Sequence, residues 1–248
     1  MTPRPAGWRC RTARRAGWWA ADYAYALGRQ VGGLLSRTPP DAYERPRSER
    51  RPTVLLLPGV YESWRFLEPL ARGLHRHGHP VRVVARFGLN RGTVPDMADL
   101  AAAVLVDADL HDVVVVAHSK GGLIGKSLMG RADVGHRVLG MVTVNTPFSG
   151  SPYARWLPLR AVRAFLPDDE VLAALAAQRA DHSRIVSVAT CFDPHVPGGS
   201  DLPGARHVRL ATPGHFRSLA DPALPAVLLR EVRGFVPDGR ESAHDAVF

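Results

Sequence analysis

Six short apolar runs rich in β-branched residues, separated by segments of helical length, restrict the fold of this chain more than any other feature. They span residues 53–57, 81–85, 113–117, 138–144, 185–191 and 207–210. Most are continuously apolar rather than alternating, as strands are when helices cover both faces of a sheet. The expected fold class is therefore α/β, with a mostly parallel sheet of about six strands flanked by helices. Helices are predicted near 64–75, 94–109, 122–129 and 220–235. A chain of 248 residues with 46% hydrophobic side chains holds one such domain with a packed core. That domain is placed at 51–248, preceded by a basic, amphipathic N-terminal extension and linker at 1–50.

Within the extension, Trp19, Tyr23, Leu27, Val31 and Leu35 recur every four residues, a spacing that lines them along one face of a helix. With Arg9, Arg11, Arg14 and Arg15 just upstream, this is the pattern of a helix lying in a membrane surface. Residues 1–45 are thus expected either to make peripheral membrane contact, leaving the catalytic core complete without them, or to pack the same stripe onto the domain. No run reaches the roughly 18 apolar residues of a membrane span. Asp22 and Arg29 interrupt any secretory leader, and Arg14-Arg15 ahead of Trp18-Trp19 is only a partial twin-arginine pattern, so a cytoplasmic protein is expected.

The net charge of +9 is carried almost entirely by arginine, because Lys120 and Lys126 are the only lysines. No aromatic-interleaved basic motif accompanies it, and no nucleic-acid partner is expected. Two cysteines, Cys10 and Cys191, are too few for a disulfide framework. Cys191 is expected to be a small core residue.

The chemistry centres on Ala117-His118-Ser119-Lys120-Gly121-Gly122, which follows Val113-Val114-Val115-Val116 and precedes a helix-compatible stretch. A sharp strand-to-helix turn exposes a serine only if its neighbours are small, as Ala117 and Gly121 are. Serine needs a base. Of the 11 histidines, His215 in Pro213-Gly214-His215-Phe216 stands best, between the last predicted strand and the last helix. His118 is expected to point away from the turn, and His207 begins a strand. His75, His77 and His79 alternate in an early polar turn without the carboxylates or cysteines that would complete a metal site. The carboxylate orienting the base is Asp193, just past the strand ending at Cys191, with Asp201 as its competitor. The order Ser119, Asp193, His215 then agrees with the order of this strand–turn–helix architecture.

Over residues 53–235 these features resemble the α/β-hydrolase superfamily, in particular its small bacterial lipases and esterases. The elbow and the pattern from Asp193 to His215 are similar to theirs, and 145–152, Asn-Thr-Pro-Phe-Ser-Gly-Ser-Pro, looks like their Thr-Pro-x-x-Gly-Ser-Pro turn. The resemblance implies an α/β-hydrolase fold and an oxyanion hole formed by the backbone N–H groups of Val60 and Lys120. Pro58 stands where the family has histidine in that loop. Residues 147–183 are longer than a minimal connection and lie where a lid would sit, although Trp156, Leu157, Leu159, Val162, Phe165 and Leu166 also suit a packed crossover helix.

The expected activity is cleavage of a small or lipid-like carboxylic ester through an acyl-enzyme, a chemistry that needs no cofactor and no metal. Acyl transfer by the same three residues is the alternative within enzymes. A catalytically silent, membrane-associated binding protein of the same fold is the alternative outside them.

Overall fold

The computed structural model describes residues 15–45, 51–156, 159–163 and 165–235. Its centre is a six-stranded, wholly parallel sheet of β1 (Thr53–Leu57), β2 (Val81–Val83), β3 (Val113–His118), β4 (Val138–Val144), β5 (Ile185–Thr190) and β6 (Arg206–Leu210), in the order β2-β1-β3-β4-β5-β6. All six predicted runs form strands, within two residues at each end.

Why the central strands β1 and β3 are almost wholly apolar follows from the two cores they separate. Leu55, Leu57, Val113, Val115 and Ala117 pack under α3 (Val94–Asp107) and α4 (Lys120–Met129). Their alternates Val54, Leu56, Val114 and Val116 pack under α2 (Glu68–Arg76) and the C-terminal helix Leu224–Gly234. Successive side chains of a strand point to opposite faces, so a strand buried on both has no polar position to spare. The helix predicted near 64–75 divides into a 3-10 turn, Trp64–Leu67, and α2. Pro69, lacking a backbone N–H, is tolerated only in a first turn, and α2 therefore begins just before it.

The N-terminal helix α1 (Arg15–Leu35) lies on the domain, touching it with only the first part of the predicted stripe: the Trp19 and Tyr23 rings each lie 5.5 Å from that of His195. Leu27, Val31 and Leu35 face outward and are exposed. The inward face carries polar anchors instead. Arg29 donates to the carbonyls of Phe66 (3.0 Å) and Arg65 (2.7 Å), Gln30 donates to that of Tyr61 (2.7 Å), and Asp22 is completely buried. Apolar periodicity could not mark these anchors, because they are hydrogen bonds to loop backbone. Arg9, Arg11, Arg14 and Cys10 lie outside the described residues. Cys191 is half-buried rather than in the core, since it lies just past the last paired residue of β5. No helix among the described residues is long and apolar enough to cross a membrane.

The insertion contributes α5 (Arg160–Arg163) and α6 (Glu170–Ala177), with α7 being the C-terminal helix Leu224–Gly234. Leu157 lies outside the described residues. Val162 and Phe165 are buried, while Trp156 and Leu159 are exposed.

Candidate active site

The register aligns Leu57 with Ala117 and His118 with Val144, so β1, β3 and β4 end together at one edge of the sheet. There the chain turns from β3 into α4 through Ser119, whose φ of 50° and ψ of −121° lie outside the common regions for an L-residue. Neighbouring strands stabilise this conformation. The Ser119 N–H donates to the Val144 carbonyl (2.9 Å), and its own carbonyl accepts from the Gly122 N–H (3.0 Å) and the Thr146 hydroxyl (2.9 Å). Both glycines after Ser119 are required by close approach. A Cβ at Gly121 would overlap the Leu57 carbonyl, and one at Gly122 would overlap the Thr146 side chain.

His215 sits in the loop between β6 and α7. Its Nδ1 lies 2.7 Å from Asp193 Oδ2, which requires the proton on Nδ1 and leaves Nε2 as the acceptor nitrogen of the neutral ring. The other Asp193 oxygen accepts from the N–H groups of His195 (2.8 Å) and Val196 (3.0 Å). Burial resists charging of both partners, yet the pair overcomes it. Asp193 is held below the usual carboxylate range by His215 and those two amides. His215 is raised above the usual histidine value by Asp193, with Glu62 and Asp22 adding to it. Asp201, the competing carboxylate, is exposed and ion-paired with Arg209, with the nearest His207 nitrogen 3.7 Å away.

Ser119 and His215 line one cavity of about 260 Å³, together with Val60 and Tyr61 and, from the insertion, Tyr153, Leu159, Val162 and Phe165. Val60 is the second residue of a turn closed by the Glu62 N–H donating to the Gly59 carbonyl (3.3 Å). Tyr61, the third, has φ 59°, a conformation that such turns ordinarily reserve for glycine or asparagine. Gly59 N–H donates to the Glu62 carboxylate (2.7 Å). The Lys120 N–H heads α4, where the first four amides have no partner within the helix. Its side chain is fully buried and donates to the carbonyls of Asn90 (3.0 Å) and Gly92 (2.5 Å), and burial lowers its pKa to about 8.

Of the early histidines, His79 is buried against the Pro52 carbonyl and His77 bonds within its own helix end. Among the described residues, no group of three or more histidine, cysteine, aspartate or glutamate side chains is disposed to hold a metal ion.

No protein-family model matches the chain, and no curated protein matches its sequence. Solved structures do match. The mature form of a Bacillus licheniformis lipase is 16% identical, with 77% of this chain and 96% of that one covered, at a TM-score of 0.62. A structure reported with the metagenome-derived lipolytic enzymes LipS and LipT is also 16% identical, covering 80% and 99%, at 0.57. A type II thioesterase from the borrelidin biosynthetic cluster is 19% identical, covering 76% and 94%, at 0.50. The chain has the α/β-hydrolase fold.

In an α/β-hydrolase fold, residues gathered at the carboxyl edge of the sheet are the ones placed to meet a ligand. Ser119, Asp193, His215, Val60 and Lys120 all lie there. Reading the sequence missed several of their neighbours. His118 was expected to point away from the turn; it is buried with its ring centre 4.9 Å from that of His215. His118 Nε2 lies 3.1 Å from the His215 carbonyl, and Nδ1 lies 2.9–3.0 Å from both oxygens of buried Glu62. Asn145 donates to the His215 carbonyl (2.9 Å) and to Ser218 Oγ (2.7 Å). His195 packs 5.0 Å from the His215 ring, and burial, together with the nearby His215, lowers its pKa to about 4. The 145–152 turn was the available signal for Asn145; nothing in the sequence singled out Glu62 or Asp22.

Proposed function

We propose that this protein hydrolyses carboxylic esters through a covalent acyl-enzyme. The observation that carries this reading is the 2.7 Å pairing of His215 Nδ1 with Asp193, in a cavity that the elbow residue Ser119 shares. The Ser119 hydroxyl attacks the ester carbonyl carbon while His215 Nε2 takes its proton. Asp193 favours the imidazolium that results. The Val60 and Lys120 amides bind the tetrahedral oxyanion. His215 then returns the proton to the departing alcohol, and a water, deprotonated by the same nitrogen, releases the acid and regenerates Ser119.

The largely apolar cavity favours a lipid-like over a polar ester. Helix α1 lines it through Ala26 and Gln30 and turns Leu27, Val31, Leu34 and Leu35 outward, which supports peripheral contact with lipid at its mouth. Acyl transfer begins from the same acyl-enzyme, and product analysis with water against alcohol, amine and thiol acceptors separates the two.

The test is covalent labelling of the full-length protein with a fluorophosphonate, followed by a panel of 4-nitrophenyl esters. Wild type is expected to label and to cleave, and Ser119→Ala to stop labelling and lose on the order of a thousandfold or more in kcat with its fold intact. A folded wild-type protein that neither labels nor cleaves any ester would favour the silent binding protein instead.

A further inference from the structure

We infer that Asp22, on the N-terminal helix, is a positioning residue for His215, so that α1 belongs to the catalytic machinery; this rests on the Ser119–His215–Asp193 reading. Asp22 lies 193 residues from His215 in the chain and is completely buried on a helix whose other described residues are half-buried or exposed. Its carboxylate accepts three successive backbone N–H groups: His215 at 3.1 Å through Oδ2, and Phe216 at 2.8 Å and Arg217 at 2.7 Å through Oδ1.

Those amides head the 3-10 turn Arg217–Ala220, whose own capping residue, Phe216, offers no side-chain acceptor. Orphan amides at a helix start need acceptors, and a carboxylate makes the strongest ones. Helix α1 thus supplies from a distance the cap that the loop lacks. The same contact explains Gly214, which has φ 121° and at which a Cβ would overlap Asp22 Oδ1.

The opposite side of the His215 backbone is held independently. Its carbonyl accepts from Asn145 and from the Ser218 hydroxyl (3.0 Å), and faces His118 Nε2. The amide side depends on Asp22 alone among the described residues. Without it, the imidazole keeps Asp193 as a partner and the carbonyl keeps its donors, but the backbone that sets the ring in the cavity shared with Ser119 loses one of its two anchors.

Geometry is joined by charge. The His215 ring is faced by Asp193 and His195 from the loop after β5, Glu62 from the loop after β1, His118 from β3 and Asp22 from α1. Asp22 is one of three carboxylates favouring the protonated ring, so neutralising it should ease loss of that proton.

The experiment uses the full chain with Asp22→Asn, a nearly isosteric change. For a soluble 4-nitrophenyl butyrate substrate, kcat is expected to fall on the order of 10- to 100-fold, as a displaced catalytic group does, while KM stays within about twofold. The acid limb of kcat/KM should move to lower pH, and backbone hydrogen exchange at 215–217 should quicken. If Asp22→Asn folds poorly, Gly214→Ala strikes the same contact from the loop side and should give the same exchange signature. Wild-type kcat and an unmoved pH limb would overturn the proposal, as would a fall in activity that only matches the loss of folded protein. Should wild type prove inactive on every ester, the triad reading fails, yet exchange at 215–217 still decides whether Asp22 caps the loop.

Discussion

The two halves of the candidate site are built in different ways. The serine half is a local object: β3, Ser119 and α4 are contiguous, and the strained turn is set by two glycines and two adjacent strand ends. The histidine half is assembled from distant parts. His215 is gripped by Asp193 from beyond β5, by Asn145 from beyond β4, by His118 from β3 and by Asp22 from α1. An element built mostly from contiguous residues tolerates little change in them, and meets remote parts here only where Leu57, Val144 and Thr146 crowd or bond the turn. A remotely built element has the opposite sensitivities, and its cost of failure falls on geometry rather than on folding.

The largest expected effect tests the remote half. Asp193→Asn should lower kcat by about three to four orders of magnitude, because the amide no longer stabilises the imidazolium or holds the tautomer. Asp201→Asn, which alters only exposed contacts with Arg209 and His207, should stay within about twofold. A reversed ranking in parallel ester assays would transfer the orienting role and break the comparison.

A smaller effect tests the local half. Gly122→Ala places a methyl group into Thr146, and overpacking of this kind costs about 1–3 kcal/mol. Thermal unfolding should show a Tm several degrees lower, together with reduced labelling of Ser119. An unchanged Tm would mean that the elbow relaxes more freely than its contacts suggest.

The smallest change sharpens the electrostatics of the remote half. The base must be neutral to accept a proton, and the pKa of His215 is raised by Asp193, Glu62 and Asp22 despite its burial. Lowering the pH through that raised value therefore removes the base, and the acid limb of kcat/KM should lie above the ordinary histidine value of about 6.5. A limb below that value would contradict the raised pKa.

Much of the fold and of the serine half was legible in the sequence, because both are written in short-range patterns. Continuous Val and Leu runs can be buried on two faces, Gly121 and Gly122 leave room for a tight turn, and the order Ser119, Asp193, His215 follows the strand order. The turn at 145–152 was recognised, although its function as the link between the Ser119 carbonyl and the His215 loop was not. Helix α1 was legible as a helix, with its stripe left either free for a membrane surface or packed on the domain. The structure divides that stripe: Leu27, Val31 and Leu35 are exposed, while Trp19 and Tyr23 lie against His195. The hydrogen bonds come from Asp22, Arg29 and Gln30, which no apolar period marks.

What the sequence alone determined is what lies within a few residues of itself: strand and helix identity, the elbow, and the candidate serine, acid and base. Only the tertiary structure decided that Asp193 rather than Asp201 meets His215, that His118 and Glu62 lie beside it, and that an aspartate near the start of the chain caps the loop carrying it. Apolar burial follows a period that can be counted along one segment. A buried carboxylate is stabilised by donors that its own segment does not contain, so its partners exist only once the chain has closed.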